Sequence, residues 1–345
     1  MPYHSGLPRL ALKSLSMKHT LLLLVVFAWS IGFNTASWAT SSKAADKPLQ
    51  CAAFSPYVGN LSPDYGPPPS KELIETLLDK LVKTTGFNCI MTYGVINGLE
   101  HLFTAAEARH LQVIAILWID KDPTVNSQSI AAGIQAAKKF PKTIIKLSCG
   151  SEVRTRHGYA FDGEISHCIN ALREAKVSQP ITTIDTWWEW CNRSLNCGKT
   201  SFSEQVDWIG INVFPWWENR YSPLYPCTTA AQAADFHIAR LTEVQKANPE
   251  KPAMITEFGW PNGPEKALNS NSITSQRCGI ANAANQAQVV NDTFAKLAKI
   301  KKSGVVFEAF AETWKPSNEG DVGAFWGICQ GQAPYDCNKR IKRHK

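Results

Sequence analysis

The sequence predicts an α/β protein built as a single (β/α)8 TIM barrel. Three observations carry this. Eight short β-rich runs occur along the chain, helical patterns separate most of them, and polar and aromatic residues collect just after the runs end. The runs are residues 51–57, 87–93, 112–119, 144–148, 181–185, 206–213, 252–257 and 305–312. After the first run, residues 70–83 read SKELIETLLDKLVK, with Leu73, Leu77 and Leu81 recurring on one helical face. Residues 127–140, 162–176, 228–248 and 281–302 show similar patterns. Gly86 and Gly304 are expected to end helices in the left-handed conformation. No Gly-x-Gly-x-x-Gly follows the first run, so an open doubly wound sheet lacks its usual support. No linker or repeat divides the mature region, and one domain is expected over residues 40–338.

Composition fits a packed, exported protein. Hydrophobic residues make up 44% and charged residues 19%, which can fill a core and excludes a disordered chain. The twelve tryptophans divide between core filling and stacking on the flat face of sugar rings. Residues 1–39 read as a signal peptide: Arg9, Lys13 and Lys18 precede an apolar run over residues 20–33, and Ser37 and Ala39 place small residues before a cut after Ala39. An uncleaved membrane anchor is the alternative, although the run is shorter than the roughly 20 residues a spanning helix needs. Met17 would serve equally well as the start. A secreted or cell-envelope location follows.

All ten cysteines lie beyond that segment, and an even count in an exported chain favours disulfides. Cys191/Cys197 and Cys329/Cys337 are close enough in sequence to close small loops. Zinc is the alternative, but no Cys-x-x-Cys occurs and the histidines are scattered. Of the net charge of +7, three charges belong to the signal region and five to the tail, residues 339–345, which leaves the body at −1. A nearly neutral body provides no footprint for nucleic acid. The basic tail reads as a solvated terminus or as an electrostatic contact with an anionic envelope.

A barrel places its chemistry at the C-terminal ends of the strands. Tyr93, Glu152, Asp185, Asn212, Trp216, Trp217, Glu257, Trp260, Glu308, Glu312, Trp314 and Lys315 all fall there. Glu152 and Glu257 each follow an apolar run that should be buried, and an unpaired buried charge is costly, so each needs a partner or a task. Glycoside hydrolysis needs two carboxyl groups flanking the scissile bond, one protonated and one ionised. A separation of about 5–5.5 Å gives retention of anomeric configuration and about 6.5–9.5 Å gives inversion.

Several segments together resemble glycoside hydrolase family 17, the β-1,3-glucanase family of a retaining (β/α)8 clan. Ile255-Thr256-Glu257-Phe258-Gly259-Trp260-Pro261 is similar to its nucleophile motif, Gly150-Ser151-Glu152-Val153 to its acid/base motif, and Phe310-Ala311-Glu312-Thr313-Trp314-Lys315 to its supporting Phe-x-Glu-x-x-Lys. Asp207-Trp208-Ile209-Gly210-Ile211-Asn212 matches a sixth-strand pattern. The resemblance covers essentially the whole mature chain. It implies Glu257 as nucleophile and Glu152 as general acid/base. Tyr93, Ser151, Asp185, Asn212, Trp216, Trp217, Trp260, Glu308, Glu312, Trp314 and Lys315 are the residues expected to bind substrate or support the site.

The implied substrate is β-1,3-glucan, cleaved without a cofactor or metal, with endo action favoured over exo. One departure stands beside the acid/base: Ser151 replaces the family's asparagine, which contacts the sugar 2-hydroxyl, a contact that strengthens in the transition state. Two other functions fit the same residues. A β-1,3-glucan transglycosylase would use the same intermediate with a sugar acceptor. A glucan-binding envelope protein with little activity would use the cleft alone.

Overall fold

The computed structural model describes residues 48–219, 227–264, 275–276, 278–315 and 319–342. The expected signal segment and its cleavage point, and residues 343–345 of the tail, lie outside the described residues. The eight expected runs form the barrel. They are β1 (Gln50–Phe54), β2 (Cys89–Thr92), β3 (Gln112–Leu117), β4 (Ile144–Ser151), β5 (Ile181–Thr186), β6 (Ile209–Asn212), β7 (Ala253–Phe258) and β10 (Gly304–Val306), with a small antiparallel pair, β8 (Ser275–Gln276) and β9 (Gly279–Ile280), outside it. The barrel closes in the order β1-β10-β7-β6-β5-β4-β3-β2, every pair parallel.

The alternation of side chains along each strand builds two cores. One set, including Ala53, Met91, Ile114, Ile116, Ile184, Trp208, Met254 and Val305, fills the bore. The other set meets the helices. These are α1 (Lys71–Thr85), α2 (His101–Glu107), α3 (Pro123–Lys139), α4 (Val153–His157), α5 (Asp162–Glu174), α6 (Trp187–Trp190), α7 (Pro215–Glu218), α8 (Ala230–Ala247) and α9 (Ala283–Lys299).

Local chemistry sets the helix limits. Ser70 caps α1 by accepting the Leu73 N–H at 3.2 Å, and the helix buries Ile74, Leu77, Leu78 and Leu81. Asp122 caps α3 with Pro123 in its first turn, and Asn282 caps α9. Gly86 ends α1 in the left-handed conformation, as expected. Gly304 does not end α9. Lys301 takes the positive φ there, and Gly304 opens β10. A Cβ there would lie 2.5 Å from Leu297 Cδ1 of α9, so β10 opens closely packed against that helix.

The last strand is shorter than the expected 305–312. β10 ends at Val306, although Phe307 and Ala309 still donate to the carbonyls of Phe258 and Ala53 at 2.8 Å. The chain keeps the strand's path but leaves its regular ladder where Glu308 turns in. The C-terminal segment covers the slot between α9 and α1. Asn338 Nδ2 donates to Ala283 O at 2.8 Å, Asn291 Nδ2 donates to Arg340 O at 3.0 Å, and Asn291 Oδ1 accepts the Lys342 N–H at 2.8 Å. Residues 339–342 of the expected solvated tail are therefore docked, because asparagine side chains satisfy their backbone groups.

All ten cysteines pair: Cys51–Cys89, Cys149–Cys168, Cys191–Cys197, Cys227–Cys278 and Cys329–Cys337. The two short-loop pairs are those expected, and the zinc alternative loses its thiolates. Cys51–Cys89 joins β1 to β2, and Cys149–Cys168 ties β4 to α5 just before Glu152.

Candidate active site

Parallel strands bring their C-terminal ends to one mouth. Glu152 follows β4, Glu257 is the penultimate residue of β7, Asn212 ends β6 and Tyr93 follows β2. The register sets Asn212 opposite Glu257.

The turn at Glu152 is tightly specified. Gly150 has φ 78°, and a Cβ there would lie 2.3 Å from Val153 Cγ2. Glu152 itself is left-handed at φ 54°, ψ 33°, a conformation costing of order 1–3 kcal/mol in a non-glycine residue. Glu152 stands at the N-cap of α4, but its side chain makes no capping bond. Asp185, from β5, performs that task. Its oxygens accept the Arg154 N–H at 2.9 Å and the Thr155 hydroxyl at 2.6 Å. Arg156 fastens the turn from the other side, donating to Ile119 O at 2.8 Å, Ser151 O at 3.2 Å and Asp120 Oδ2 at 2.7 Å. The Glu152 carboxylate is thus left free to face the mouth.

One amide holds that carboxylate. Asn212 Nδ2 donates to Glu152 Oε1 at 2.9 Å, and Asn212 Oδ1 accepts the Thr256 hydroxyl at 2.9 Å. An ionised carboxylate only accepts, so it takes the amide N–H, and the Thr256 hydroxyl then donates to the amide oxygen. Burial raises the Glu152 pKa, opposed by the Asn212 hydrogen bond and the Arg156 charge. Burial and the neighbouring Glu152 charge also push Asp185 up, to about 7, against its bonds from Thr155 and Thr186.

Glu257 is more deeply enclosed, 5% exposed. Its Oε1 accepts the Tyr93 hydroxyl at 2.8 Å. Burial and the charge on Glu257 push the Tyr93 phenol well up, so it remains a donor. Glu257 is also raised well above the usual range, first by burial and then by the charge of Glu152, against Tyr93 and Lys315. The two carboxylates therefore act on one another: protonating Glu152 removes the repulsion that disfavours ionised Glu257.

Beneath Glu257 lies a buried ion cluster. Lys315 Nζ pairs with Glu308 Oε2 and, at 2.7 Å, with Glu312 Oε2. Glu312 also accepts the Ser55 hydroxyl and the Trp314 N–H, the latter at 3.1 Å. Burial alone would lower Lys315, but the charges of Glu308, Glu312 and Glu319 raise it, so it stays charged. Burial pushes Glu308 well up against the Lys315 cation, and Glu312 adds to the rise. Glu319 joins from the loop after the cluster. Burial raises it to about 6, Lys315 opposes, and Glu312 and Glu152 add to the rise.

The expected sugar-contacting tryptophans divide. Trp217 and Trp314 keep part of their surface, whereas Trp216 and Trp260 are fully enclosed. The two pack edge to face at 5.2 Å, and Trp260 donates to Ile280 O at 2.9 Å, so their rings are committed to holding α7 against the loop after β7. Ser151 is buried beside Glu152, and Asp185 is occupied with α4. Tyr93, Asn212, Glu308, Glu312 and Lys315 converge on the two glutamates.

Sequence reasoning missed Phe307, Phe214, Trp326, Thr256, Arg156 and Glu319. Phe307 meets Phe214 at 5.5 Å, Trp326 at 5.8 Å and Tyr93 at 6.5 Å, and Lys315 Nζ lies 4.2 Å from its ring centre. Its position directly after the eighth strand was the available signal.

A (β/α)8 barrel with two carboxyl groups facing one mouth defines the class of glycoside hydrolase barrels. The BtgE/BtgC glycoside hydrolase domain matches residues 51–327, and the chain belongs to that family. It is distantly related to glucan 1,3-β-glucosidases. Among them, the Glucan 1,3-beta-glucosidase BGL2 of Candida albicans is 24% identical over 261 residues, 70% of this chain and 78% of that protein. The probable glucan endo-1,3-beta-glucosidase eglC of Emericella nidulans is 28% identical over 202 residues, 52% of this chain but only 42% of its own length. The fold is shared with a family 17 β-1,3-glucanosyltransferase from Rhizomucor miehei, at TM-score 0.65 and 18% identity, covering 85% of this chain and 97% of that one.

Proposed function

We propose that the chain is an extracellular retaining β-1,3-glucan hydrolase in which Glu257 attacks and Glu152 moves protons. The observation that carries this is the unequal setting of two carboxyl groups at the ends of β4 and β7, Glu257 buried and Glu152 half-buried. Burial raises both groups, and the Glu152 charge raises Glu257 further; what separates them is their partners, a phenol donor and the field of Lys315 at Glu257 against one amide donor and the more distant Arg156 charge at Glu152.

The chemistry is a double displacement. A Glu257 oxygen bonds to the anomeric carbon while the glycosidic C–O bond breaks and the leaving oxygen takes the proton of Glu152. Water then adds to the anomeric carbon, giving its proton to Glu152, while the bond to Glu257 breaks. Protonated Glu152 and ionised Glu257 are each other's preferred partner state, so the starting arrangement is self-consistent. Tyr93 orients Glu257, Asn212 orients Glu152, and Phe307, Trp217 and Trp314 offer aromatic surface to the sugars. Five disulfides and the apolar segment near the start of the sequence support an extracellular location.

Hydrolysis of laminarin, compared with β-1,6- and mixed-linkage glucans, tests the reading. Laminarin is expected to be the best substrate, cut internally into short oligosaccharides. Products longer than the donor would assign transglycosylation instead. Binding of laminarin without turnover would assign a glucan-binding protein, and unchanged hydrolysis by Glu257→Ala would sink the nucleophile assignment.

A further inference from the structure

Charge is segregated in this barrel. The mouth gathers Glu152, Glu257, Glu308, Glu312 and Glu319 around one buried lysine. The slot between α1 and α9 does the reverse. There the C-terminal segment and the end of α1 enclose a recess of about 380 Å³. Lys339, Arg340 and Lys342 line it together with Thr84 and Thr85, and no Asp or Glu does. Exposed Lys83 adjoins it, and across the slot exposed Lys299 ends α9 and exposed Lys301 follows it. None of these six cations forms a salt bridge among the described residues. The adjacent carboxylate, Asp336, is engaged by Lys80 at 2.8 Å and also faces Lys339.

The second observation is that the backbone carrying the tail cations is held. The Cys329–Cys337 disulfide closes the loop before them, Asn338 anchors the chain to α9, and Asn291 grips residues 340 and 342 from both sides. Lys83 and Lys299 sit in last helical turns, where cations are ordinarily favoured, but the three tail cations have no helix to complement. A segment fixed in advance loses less entropy when it meets a counter-charge.

We propose that this recess is a second glycan site, one that takes a phosphate group carried by a polysaccharide. Three cations around one hollow match a group with several anionic oxygens better than a single carboxylate, and a guanidinium suits phosphate bidentately. A concave recess admits a group standing out from a polymer. A lipid surface calls for a broad apolar face, and Ile300 is the large hydrophobic side chain exposed at the end of α9. The benefit rests on the proposed glucan activity: tethering to the wall raises the effective concentration of glucan at a mouth that remains free.

Retention on phosphocellulose against plain cellulose, followed through a salt gradient, tests the site. The wild-type protein is expected to bind phosphocellulose only. Lys339→Gln/Arg340→Gln/Lys342→Gln should weaken binding about tenfold, while soluble-laminarin hydrolysis stays unchanged. Lys138→Gln/Lys139→Gln/Lys142→Gln removes as much charge from another sector and should bind as the wild type does. Equal weakening by both triples, or no weakening by the first, would overturn the proposal. So would binding to phosphatidylserine vesicles that phosphorylated mannan fails to displace. Loss of laminarin hydrolysis in the wild type would instead count against the glucanase reading and leave the phosphate site standing.

Discussion

The two sides of the mouth hold their carboxylates by different means. Around Glu152 the control is geometric. A left-handed residue, a helix capped in trans by Asp185, and an amide braced by the Thr256 hydroxyl aim one side chain, and its direct contact is neutral. Around Glu257 the control is electrostatic. Glu257 sits in β7 where its register with β6 shifts, without a left-handed backbone, and a phenol and a buried lysine with two further glutamates set its charge. The difference matches what each group must do. An acid/base has to reach two oxygens in turn and exchange a proton, so its aim matters most. A nucleophile has to stay ionised in a place that excludes water, so its field matters most.

The largest test of that contrast compares two isosteric substitutions. Glu257→Gln should lower kcat about 10⁵-fold on every substrate, because the attacking oxygen is lost. Glu152→Gln should cost about 10²–10⁴-fold on laminarin but little in the first step on aryl glucosides, whose leaving groups depart without a proton. Equal losses on both substrate types would erase the distinction between the two sides.

Lys315→Met is the next test, on the electrostatic side. It strands Glu308 and Glu312 in the interior, so stability should fall by about 3–5 kcal/mol, read as a lower midpoint in urea or heat. The remaining folded enzyme should lose activity toward low pH, because Glu257 without the lysine field holds its proton to higher pH. An unchanged acid limb would confine Lys315 to a structural part.

Two smaller tests address the geometric side. Asp185→Ala removes the cap of α4 and should cost about 1–2 kcal/mol of stability, with a roughly tenfold fall in kcat as Glu152 loses its aim. Thr256→Val frees the Asn212 amide to turn its oxygen toward Glu152. That exchange favours the protonated acid, so the alkaline limb of kcat/KM should move up while kcat falls a few-fold, by about 1 kcal/mol. Thr256→Ser should restore the wild-type profile.

The last test reads stability against pH. The folded-state pKa of Asp185, about 7, lies above its ordinary 3.8, so its contribution is full below about 3.8 and is lost as pH rises toward 7. Asp185→Asn should flatten that part of the curve in thermal melts. A wild-type curve rising over the same range would contradict the assignment.

How much of this was legible beforehand follows from the reach of each signal. The barrel was readable because strand runs and helical faces are local patterns, and both glutamates were readable because carboxylates ending apolar runs are conspicuous. The enclosure of Trp216 and Trp260 was not, because a tryptophan after a strand looks the same whether its neighbour is a sugar or another indole. Asp185 sits among mouth residues in sequence, yet its use as a helix cap depends on a turn built by another strand. Thr256 adjoins the nucleophile, but its bond across the sheet to Asn212 needs the β6–β7 register. Phe307 and Gly304 depended on where β10 stops and how closely α9 packs, and neither has a sequence period.

The most direct test of the central claim is to trap the intermediate. A 2-deoxy-2-fluoro-laminaribiosyl donor with an activated leaving group should leave a covalent sugar on the peptide carrying Glu257, found by mass spectrometry after digestion, and no adduct in Glu257→Gln. An adduct on the peptide carrying Glu152, or one that persists in Glu257→Gln, would contradict the assignment of the two sides.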